Sequence, residues 1–295
     1  MRKRENMKLI NKIYGKIKHS NKPVSIPLNG KNLIIAGGNG SGKTSLAMAI
    51  LESLQTQIIS QGFHHIPQYQ QNISVCESAL KNPDISDDAR LQYQRDLKQN
   101  KISLENIQGL TKLEYNNPIT TIELYQKRQA TIRFFAADRR ANINDATYAT
   151  ASQPDMRSVD ISSMGSNLEQ HLVALKVRSA LAMQAGELGS RPLHAEEWIA
   201  SLTKNLKYLF EDDSTELKFI ADQLKFLISQ DGKPPYNFQS LSSGYVAILD
   251  IYANLLMHTE YAQIKPTELT GVVIVDEIDV HLHVSLQRKI LPFLT

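Results

Sequence analysis

Short apolar runs separated by polar turns predict the β-strands of this 295-residue chain. Residues 33–36 and 271–275 are rich in Ile and Val, which is typical of strands buried on both faces of a sheet. Residues 120–125 and 130–135 indicate two strands joined by a polar turn. A further pair, 217–220 and 224–228, is predicted to lead into a loop that begins at Asp231-Gly232.

The longer stretches between these runs are predicted to form helices and one long loop. Residues 66–110 are polar and rich in Gln and Asn, and a break is predicted at Asn82-Pro83. Residues 141–165 are rich in Asn, Asp, Ser and Thr, which indicates a long loop. Residues 167–210 predict a helical subdomain, and residues 246–257 predict a further helix. The shared face of the subdomain carries Leu168, Leu172, Leu175, Ser179 and Ala182. Trp198 is interpreted as a core residue rather than a base-stacking platform.

The first 22 residues have a net charge of +7, eight basic residues minus one acidic, in a chain whose net charge is +3. The basic residues there are Arg2, Lys3, Arg4, Lys8, Lys12, Lys16, Lys18 and Lys22, against Glu5. A basic arm could contact nucleic acid or an acidic partner. The segment also alternates like a half-buried strand, with Ile13, Gly15 and Ile17 on the inner face. A solvated strand face is therefore the alternative interpretation.

Composition narrows the class of protein. Hydrophobic residues make up 42% of the chain, enough for a full core. Cys76 is the single cysteine, which excludes an intramolecular disulfide and a cysteine-rich metal site. The sequence shows neither a run of membrane-spanning length nor the apolar segment of a secretory signal. A cytoplasmic protein that does not contact the membrane is expected.

A glycine-rich motif follows the apolar run at 33–36. Residues 37–44 match G-x-x-x-x-G-K-[ST] in full, and a helix-forming stretch starts at Ser45. Such a loop turns its backbone N–H groups inward and can cradle a triphosphate. Lys43 is expected to reach the β and γ phosphates, and the Thr44 hydroxyl to ligate Mg²⁺. The predicted ATP-binding set is Gly37, Gly38, Asn39, Gly40, Ser41, Gly42, Lys43, Thr44 and Ser45.

An acidic pair ends the apolar run at 271–275. Asp276 is placed to hold Mg²⁺ from the end of a strand. Glu277 is placed to polarise the water that attacks the γ-phosphate. Glu277 and Lys43 are therefore the predicted catalytic residues, and ATP and Mg²⁺ are the predicted cofactors.

Leu241-Ser-Ser-Gly-Tyr245 opens the helix predicted over 246–257. Hydroxyls and a glycine at a helix N-terminus can bind an anion. An ordinary serine N-cap is the alternative interpretation of the same pattern. The phosphate loop upstream and the Asp-Glu pair downstream favour the anion site, formed by Ser242, Ser243 and Gly244.

These three motifs resemble those of ATP-binding cassette (ABC) ATPases outside the transporter branch, such as the heads of OLD-family and RecF-like proteins. The resemblance implies a P-loop NTPase of the α/β class, with a mostly parallel central sheet, an antiparallel β subdomain and a helical insertion. It also implies a homodimer or higher homo-oligomer, in which ATP lies between the phosphate loop of one protomer and Ser242, Ser243 and Gly244 of another.

The chain departs from the family pattern in two places. His283 is followed by Val284, where the family often has proline. The switch histidine that contacts the γ-phosphate in the family does not follow Glu277 before Thr295. We therefore expect the natural protein to continue past Thr295. His281 and His283 are interpreted as part of the family's dimer-contact loop rather than as a metal site, since no further ligands are evident.

The spacing of the motifs separates the possible subclasses. Leu241 comes 197 positions after Thr44, which is long for a transporter ATPase and short for the coiled-coil arms of SMC-type proteins. A helical insertion is predicted instead. The resulting segments are 1–57, 58–118, 119–140, 141–210 and 211–295. Arg139 and Arg140 stand where the family places its nucleotide-sensing glutamine, although solvated or ion-paired arginines are the alternative.

The predicted function is an ATPase that dimerises around ATP and switches an effector protein, a nuclease domain or an activity directed at DNA or RNA, as in antiphage defence. This role follows from the resemblance alone. A regulatory scaffold that binds ATP with little turnover is the alternative, and a transporter ATPase is third.

Overall fold

The computed structural model describes residues 9–17, 22–137, 142–147, 161–186, 190–279 and 282–294. The chain divides into two compact units. The first lies within Met1–Phe134 and Leu269–Asp276, and the second within Phe135–Glu268 and Glu277–Thr295. The first unit is therefore built from two separate stretches of chain.

An antiparallel sheet opens the first unit. Its strands are β1 (Ile10–Lys16), β2 (Pro23–Pro27) and β3 (Thr111–Tyr115), in the order β2-β1-β3. Ile13 lies opposite Ile26 on one side and Leu113 on the other, and all three point toward the core. The alternation predicted for Lys12 to Ile17 is confirmed, while Lys18 lies outside the described residues.

Helix α1 (Lys43–Leu54) packs against this sheet and continues into a π-helical turn, Gln55–Ile59. Leu46, Ile50 and Leu54 bury one face of the helix in the same core. The buried face fixes the helix on the sheet, so the N-terminus at Lys43 has a defined position.

Two helices, α2 (Ile66–Leu80) and α3 (Asp87–Gln108), preceded by a 3₁₀ turn, Gly62–His65, lie in the segment for which a helical insertion is predicted. The break expected at Asn82-Pro83 is confirmed. The side chain of Ser86 caps α3 by accepting a hydrogen bond from Ala89 N (3.4 Å). Polar contacts join the pair, including a 2.8 Å salt bridge between Lys101 and Glu77.

The strand predicted over 120–125 is wrong, because these residues belong to helix α4 (Pro118–Gln126). The Asn117 side chain accepts a hydrogen bond from Thr120 N (3.0 Å), and Pro118 occupies the first turn. This capping pattern starts a helix and outweighs the strand preference of the β-branched residues that follow. The strand predicted over 130–135 is confirmed as β4 (Ala130–Phe135).

Strand β4 pairs with β8 (Thr270–Val275) in a two-stranded sheet. The strands are parallel, since Thr270 N donates to Gln129 O (3.2 Å) where both strands begin. Gly271 lies so close to β4 that a β-carbon there would stand 2.1 Å from the Thr131 carbonyl oxygen. Only glycine fits at this crossing.

Two expectations about buried strands are wrong. Residues 33–36 are not a strand, since they have no strand partner and lie exposed, with Ile34 71% accessible. Strand β8 is not buried on both faces, because Val273 is 39% accessible. An apolar run becomes a strand buried on both faces only where other elements pack on both faces of its sheet.

The second unit contains helices α5 (Leu168–Gln184) and α6 (Ser190–Phe210) and a three-stranded antiparallel sheet. The sheet consists of β5 (Glu216–Ile220), β6 (Lys225–Gln230) and β7 (Lys233–Tyr236). The pairing of the first two strands is confirmed, and β7 occupies part of the segment predicted as a loop.

The helical face predicted on α5 is buried in full, and Trp198 lies in the same core. Ile161–Asn167 forms a 3₁₀ turn before α5, whereas much of the predicted loop over 141–165 lies outside the described residues. Helices α7 (Ser243–Ala262) and α8 (Val284–Leu294) complete this unit. Within the described ranges, no helix has both the length and the apolar character needed to cross a membrane.

Candidate functional site

The glycine-rich loop before α1 has the backbone of a phosphate cradle. Gly40 and Gly42 adopt positive φ angles of 75° and 98°, a region that side chains with a β-carbon rarely enter. The Gly42 carbonyl accepts the first helical hydrogen bond, from Leu46 N (2.9 Å). The loop therefore turns directly into the N-terminus of α1, where unpaired backbone N–H groups favour an anion.

Lys43 folds back over this loop. Its Nζ donates hydrogen bonds to the carbonyl oxygens of Gly37 (2.8 Å) and Gly38 (3.2 Å). An ammonium group has three N–H donors, so two backbone contacts leave one for a further acceptor. The lysine predicted to bind phosphate thus holds its charge at the mouth of the loop.

The Thr44 hydroxyl donates a 2.8 Å hydrogen bond to Oδ2 of Asp276. Thr44 stands in the first turn of α1, and Asp276 directly follows the last residue of β8. The contact joins two motifs that lie 232 positions apart in the sequence. Both residues belong to the first unit, so the fold of that unit sets their distance.

This oxygen pair fits a magnesium ion. Mg²⁺ takes oxygen ligands at about 2.0–2.1 Å in octahedral geometry, and adjacent ligands then lie about 2.9 Å apart. The 2.8 Å between Thr44 Oγ1 and Asp276 Oδ2 matches that spacing. Mg²⁺ is usually held by one or two protein groups together with substrate phosphates, so a larger protein cluster is not needed. The described residues indeed contain no group of three or more His, Cys, Asp or Glu side chains suited to a metal.

Glu277 follows Asp276 in an unusual backbone conformation. Its φ is +46°, in the left-handed region, and its side chain is exposed. For a residue with a β-carbon this conformation costs on the order of 1 kcal/mol. The left-handed residue ends the extended run of β8 directly after the carboxylate of Asp276.

Residues 241–245, which we call the signature segment, contain the N-terminus of α7, as the sequence predicts. Ser242 and Ser243 are exposed and Gly244 is buried. Ser242 has the extended backbone of an N-cap residue, with φ −61° and ψ 153°, yet its side chain makes no capping hydrogen bond. Asn237 instead caps the preceding 3₁₀ turn, Phe238–Ser240, by accepting from Ser240 N (3.0 Å). The ordinary capping interpretation of Ser242 therefore lacks its defining hydrogen bond.

The segment before the signature is supported by groups that the sequence did not single out. Gln239 Nε2 donates to the Ile143 carbonyl (2.7 Å). Glu169 is fully buried on α5 and accepts a hydrogen bond from Phe226 N (3.0 Å). Burial raises the pKa of the Glu169 carboxyl, and the hydrogen bond from Phe226 partly offsets this. A lone glutamate in an amphipathic helix gives no signal by which its burial could be foreseen.

Other predicted residues cannot be placed. Arg139, Arg140 and His281 lie outside the described residues, as do the basic residues from Arg2 to Lys8. His283 is exposed.

An apolar cleft in the first unit, lined by Leu9, Leu54, Tyr115 and Val272 among others, lies at the beginning of β8. Asp276 follows the opposite end of that strand, so the cleft is distinct from the phosphate loop.

Comparison with known families decides the class of the chain. Residues 33–295 match the family described as "AAA domain, putative AbiEii toxin, Type IV TA system". The chain belongs to this AAA-domain family. The match begins just before the phosphate loop and includes α1, β8 and the signature helix. A mixed α/β fold with a small parallel sheet, together with this membership, makes the chain a P-loop ATPase domain of the AAA type.

One relative is similar over part of the chain. The "Retron Ec83 probable ATPase" of Escherichia coli is 29% identical over 128 residues. The aligned region covers 42% of this chain and 22% of the relative, so the chain spans about a fifth of the length of the curated relative it matches.

Proposed function

We propose that this AAA-domain protein hydrolyses ATP with Mg²⁺ and dimerises around the nucleotide in the manner of ABC-type ATPases. The observation that carries the proposal is the 2.8 Å contact between Thr44 and Asp276. A hydroxyl from the phosphate loop and a carboxylate from a strand end at this spacing would supply two of the six ligands of a magnesium ion. Family membership supports nucleotide binding independently.

Three groups of the first unit would hold MgATP. The backbone N–H groups at the start of α1 face the phosphates, and Lys43 neutralises their charge from above the loop. Thr44 and Asp276 would complete the coordination of Mg²⁺, which neutralises charge on the transferred phosphoryl group when bound. Catalysis then depends mainly on position and electrostatics.

Glu277 is assigned as the general base. A carboxylate directly after the magnesium-binding aspartate can accept a proton from the attacking water. The exposed side chain and the left-handed backbone of Glu277 are compatible with that task, since strain of this kind concentrates at functional positions.

The signature serines are assigned to a second protomer's nucleotide. Ser242 and Ser243 are exposed at the N-terminus of the 20-residue helix α7, and the Ser242 side chain does not cap that helix. Exposed hydroxyls and a positive helix terminus together suit a γ-phosphate that arrives with another copy of the chain.

The biological role is proposed from similarity. The relative is named as a retron ATPase, and the family description names a toxin of a toxin–antitoxin system. We infer that nucleotide-driven dimerisation switches an effector protein, a nuclease domain or an activity on DNA or RNA in antiphage defence.

The test uses two matched variants and measures mass by light scattering with and without MgATP. Glu277→Gln keeps Asp276 and the phosphate loop but removes the proton acceptor, so MgATP should trap a dimer. Ser243→Arg should bind ATP with unchanged affinity yet stay monomeric, because a bulky cation would fill the pocket that receives the γ-phosphate.

Three results would contradict the proposal. The first is undiminished hydrolysis by Glu277→Gln, which would show that another group is the general base. The second is that Ser243→Arg hydrolyses ATP normally, at a rate per protein molecule that does not change with protein concentration. In that case Ser242 and Ser243 do not act on the nucleotide of a second protomer. The third, stoichiometric ATP retention without turnover in the unmodified chain, would favour a scaffold over an ATPase.

A further inference from the structure

The antiparallel sheet of the first unit has a basic outer face. Ile13 points inward from β1, so Lys12, Tyr14 and Lys16 share the opposite, solvent-facing side. On β3, Lys112 pairs with Tyr14 in the strand register and therefore lies on the same side. We call Lys12, Tyr14, Lys16 and Lys112 the basic sheet face.

The charge of this face is largely uncompensated. Glu114 is opposite Lys12 and is the one acidic residue of the three strands. In the part of the chain that the structure describes, none of Lys12, Lys16 and Lys112 lies within ion-pair distance of a carboxylate. On β2, Ser25 pairs with Tyr14 and adds no charge. The face carries a net charge of +2 around a single aromatic ring.

Tyr14 lies at the centre of these cations. Its side chain is 39% accessible, and Lys12 Nζ stands 5.8 Å from the ring centroid. Lys12 and Lys16 are separated along the strand by about 13 Å, at about 3.3 Å per residue, with Tyr14 between them. Lys112 lies about 4.8 Å to one side, on the neighbouring strand. The ring is thus bordered by positive charge on three sides.

The chemistry of this arrangement selects among anionic partners. A cationic surface alone would accept any polyanion. An exposed aromatic ring between cations adds a flat surface on which an unpaired base can stack, as proteins that bind single-stranded nucleic acid use. Bases in a duplex are stacked on each other and cannot reach a ring on a sheet surface, and an acidic polypeptide has no base.

We propose that the basic sheet face binds single-stranded nucleic acid. Lys12, Lys16 and Lys112 contact phosphates, and Tyr14 stacks on a base. In the sequence, Arg2, Lys3, Arg4 and Lys8 come directly before β1 and would add to the attraction. This proposal rests on the proposed function only for its biological meaning, since the face contains no residue assigned to ATP.

The experiment measures binding of a fluorescein-labelled single-stranded DNA of about 20 nucleotides by fluorescence anisotropy, without nucleotide and at several salt concentrations. Single-stranded RNA, a duplex of the same length and polyglutamate serve as competitors. The triple variant Lys12→Gln/Lys16→Gln/Lys112→Gln should reduce the slope of log K against log salt by about 2, because each phosphate contact contributes about 0.7 for a single strand.

Two pairs of variants isolate the two parts of the face. Lys98→Gln/Lys127→Gln/Lys204→Gln removes three exposed charges elsewhere and should leave the salt slope within about 0.5 of the original, less than one phosphate contact. Tyr14→Leu should weaken binding of the single strand about tenfold, the scale of one stacked base. Tyr14→Phe keeps the ring and should bind as the unmodified chain does.

Three outcomes would overturn the proposal. The first is an equal loss of affinity in both triple variants. The second is that Tyr14→Leu and Tyr14→Phe bind the single strand with equal affinity. The third is that the duplex or polyglutamate competes as strongly as an unlabelled single strand does. Because binding is measured without ATP, such failure would leave the assignments of Lys43, Thr44 and Asp276 untouched. Conversely, Lys43→Ala should bind the oligonucleotide normally even where it no longer binds ATP.

Discussion

The Thr44 hydroxyl lies 2.8 Å from the Asp276 carboxylate, which brings together the start of α1 and the end of β8. The two oxygens stand at the spacing of neighbouring ligands of the proposed Mg²⁺, and the hydroxyl proton lies between them. To bind the ion, the Thr44 hydroxyl would turn its proton away from Asp276, with little movement of either side chain.

Removal of the hydroxyl should therefore abolish the effect of magnesium on nucleotide binding. In Thr44→Val the shape is kept, but one proposed ligand is lost and Asp276 loses the hydrogen bond from Thr44. We expect ATP affinity, measured by calorimetry, to be the same with Mg²⁺ and with EDTA. Thr56→Val is the matched control, since its hydroxyl bonds only the Glu52 carbonyl within the same turn. If Mg²⁺ raises the ATP affinity of Thr44→Val as much as that of the unmodified chain, Thr44 is not a ligand of the ion.

Lys43→Ala should weaken ATP binding by about 100-fold, because hydrogen bonds to charged groups contribute up to about 3 kcal/mol. The fold should persist, as Lys43 contacts only the carbonyls of Gly37 and Gly38. Calorimetry with ATP gives the affinity, and a melting curve checks the fold. Lys31→Ala removes an exposed lysine before the loop and should bind normally. Unchanged affinity in Lys43→Ala would refute the phosphate-loop assignment.

Glu277→Gly should separate stability from activity. The left-handed φ of +46° is strained for glutamate but not for glycine, so the free energy of unfolding should rise by up to about 1 kcal/mol. Hydrolysis should be lost together with the carboxylate. Urea unfolding measures the first effect, and phosphate release measures the second. Glu277→Gln should lose hydrolysis without the gain in stability, and a destabilised Glu277→Gly would show that the strain is not relieved.

His171 should make the protein sensitive to mild acid. The ring is buried between Trp198 and Tyr261, at centroid distances of 5.1 and 6.0 Å, and neither ring nitrogen has a hydrogen-bond partner. Glu260 Oε1 lies 3.9 Å from Nε2, too far for a hydrogen bond. Burial, with Arg178 and His194 nearby, lowers the pKa of His171 to about 3.

The direction of the pH effect on stability follows from the protonation of His171 in the folded and unfolded states. The unfolded chain takes up a proton below about pH 6.5 while the folded ring stays neutral, so stability falls as pH falls toward 3. Between pH 6.5 and 5 the loss from this one group is about 2 kcal/mol. His171→Phe should remove that loss in urea unfolding at each pH. The raised pKa of Glu169 acts in the opposite direction in both proteins, so their difference isolates His171. Parallel pH profiles would contradict the prediction.

The motifs were the most predictable part of the molecule, because each encodes its own local geometry. Gly42 and Lys43 define a loop and a helix start, and the structure places the start of α1 at Lys43. The alternation of β1 also predicted which lysines face solvent. Lys112 joined that surface only through strand register, which a single sequence does not reveal.

The errors arose where distant chain segments decide the structure. Residues 33–36 have the composition of a buried strand, yet whether such a run is covered depends on neighbours far away in sequence. The error at 120–125 has a local cause instead, because Asn117-Pro118 directly before these residues starts a helix. The burial of Glu169 depends on the backbone of Phe226, 57 positions away.

The separation of β4 from β8 in the sequence has a consequence for biosynthesis. The ribosome completes residues 135–268, most of the second unit, before β8 exists. At about 5–20 residues per second, β4 waits roughly 7–27 s for its parallel partner, and Thr44 waits longer for Asp276. During that interval the nascent chain exposes an unpaired strand edge and only one of the two proposed magnesium ligands. A nucleotide bound beside Thr44 could thus meet Asp276 only after β8 has been synthesised, which would delay the proposed ATP-driven dimerisation until then.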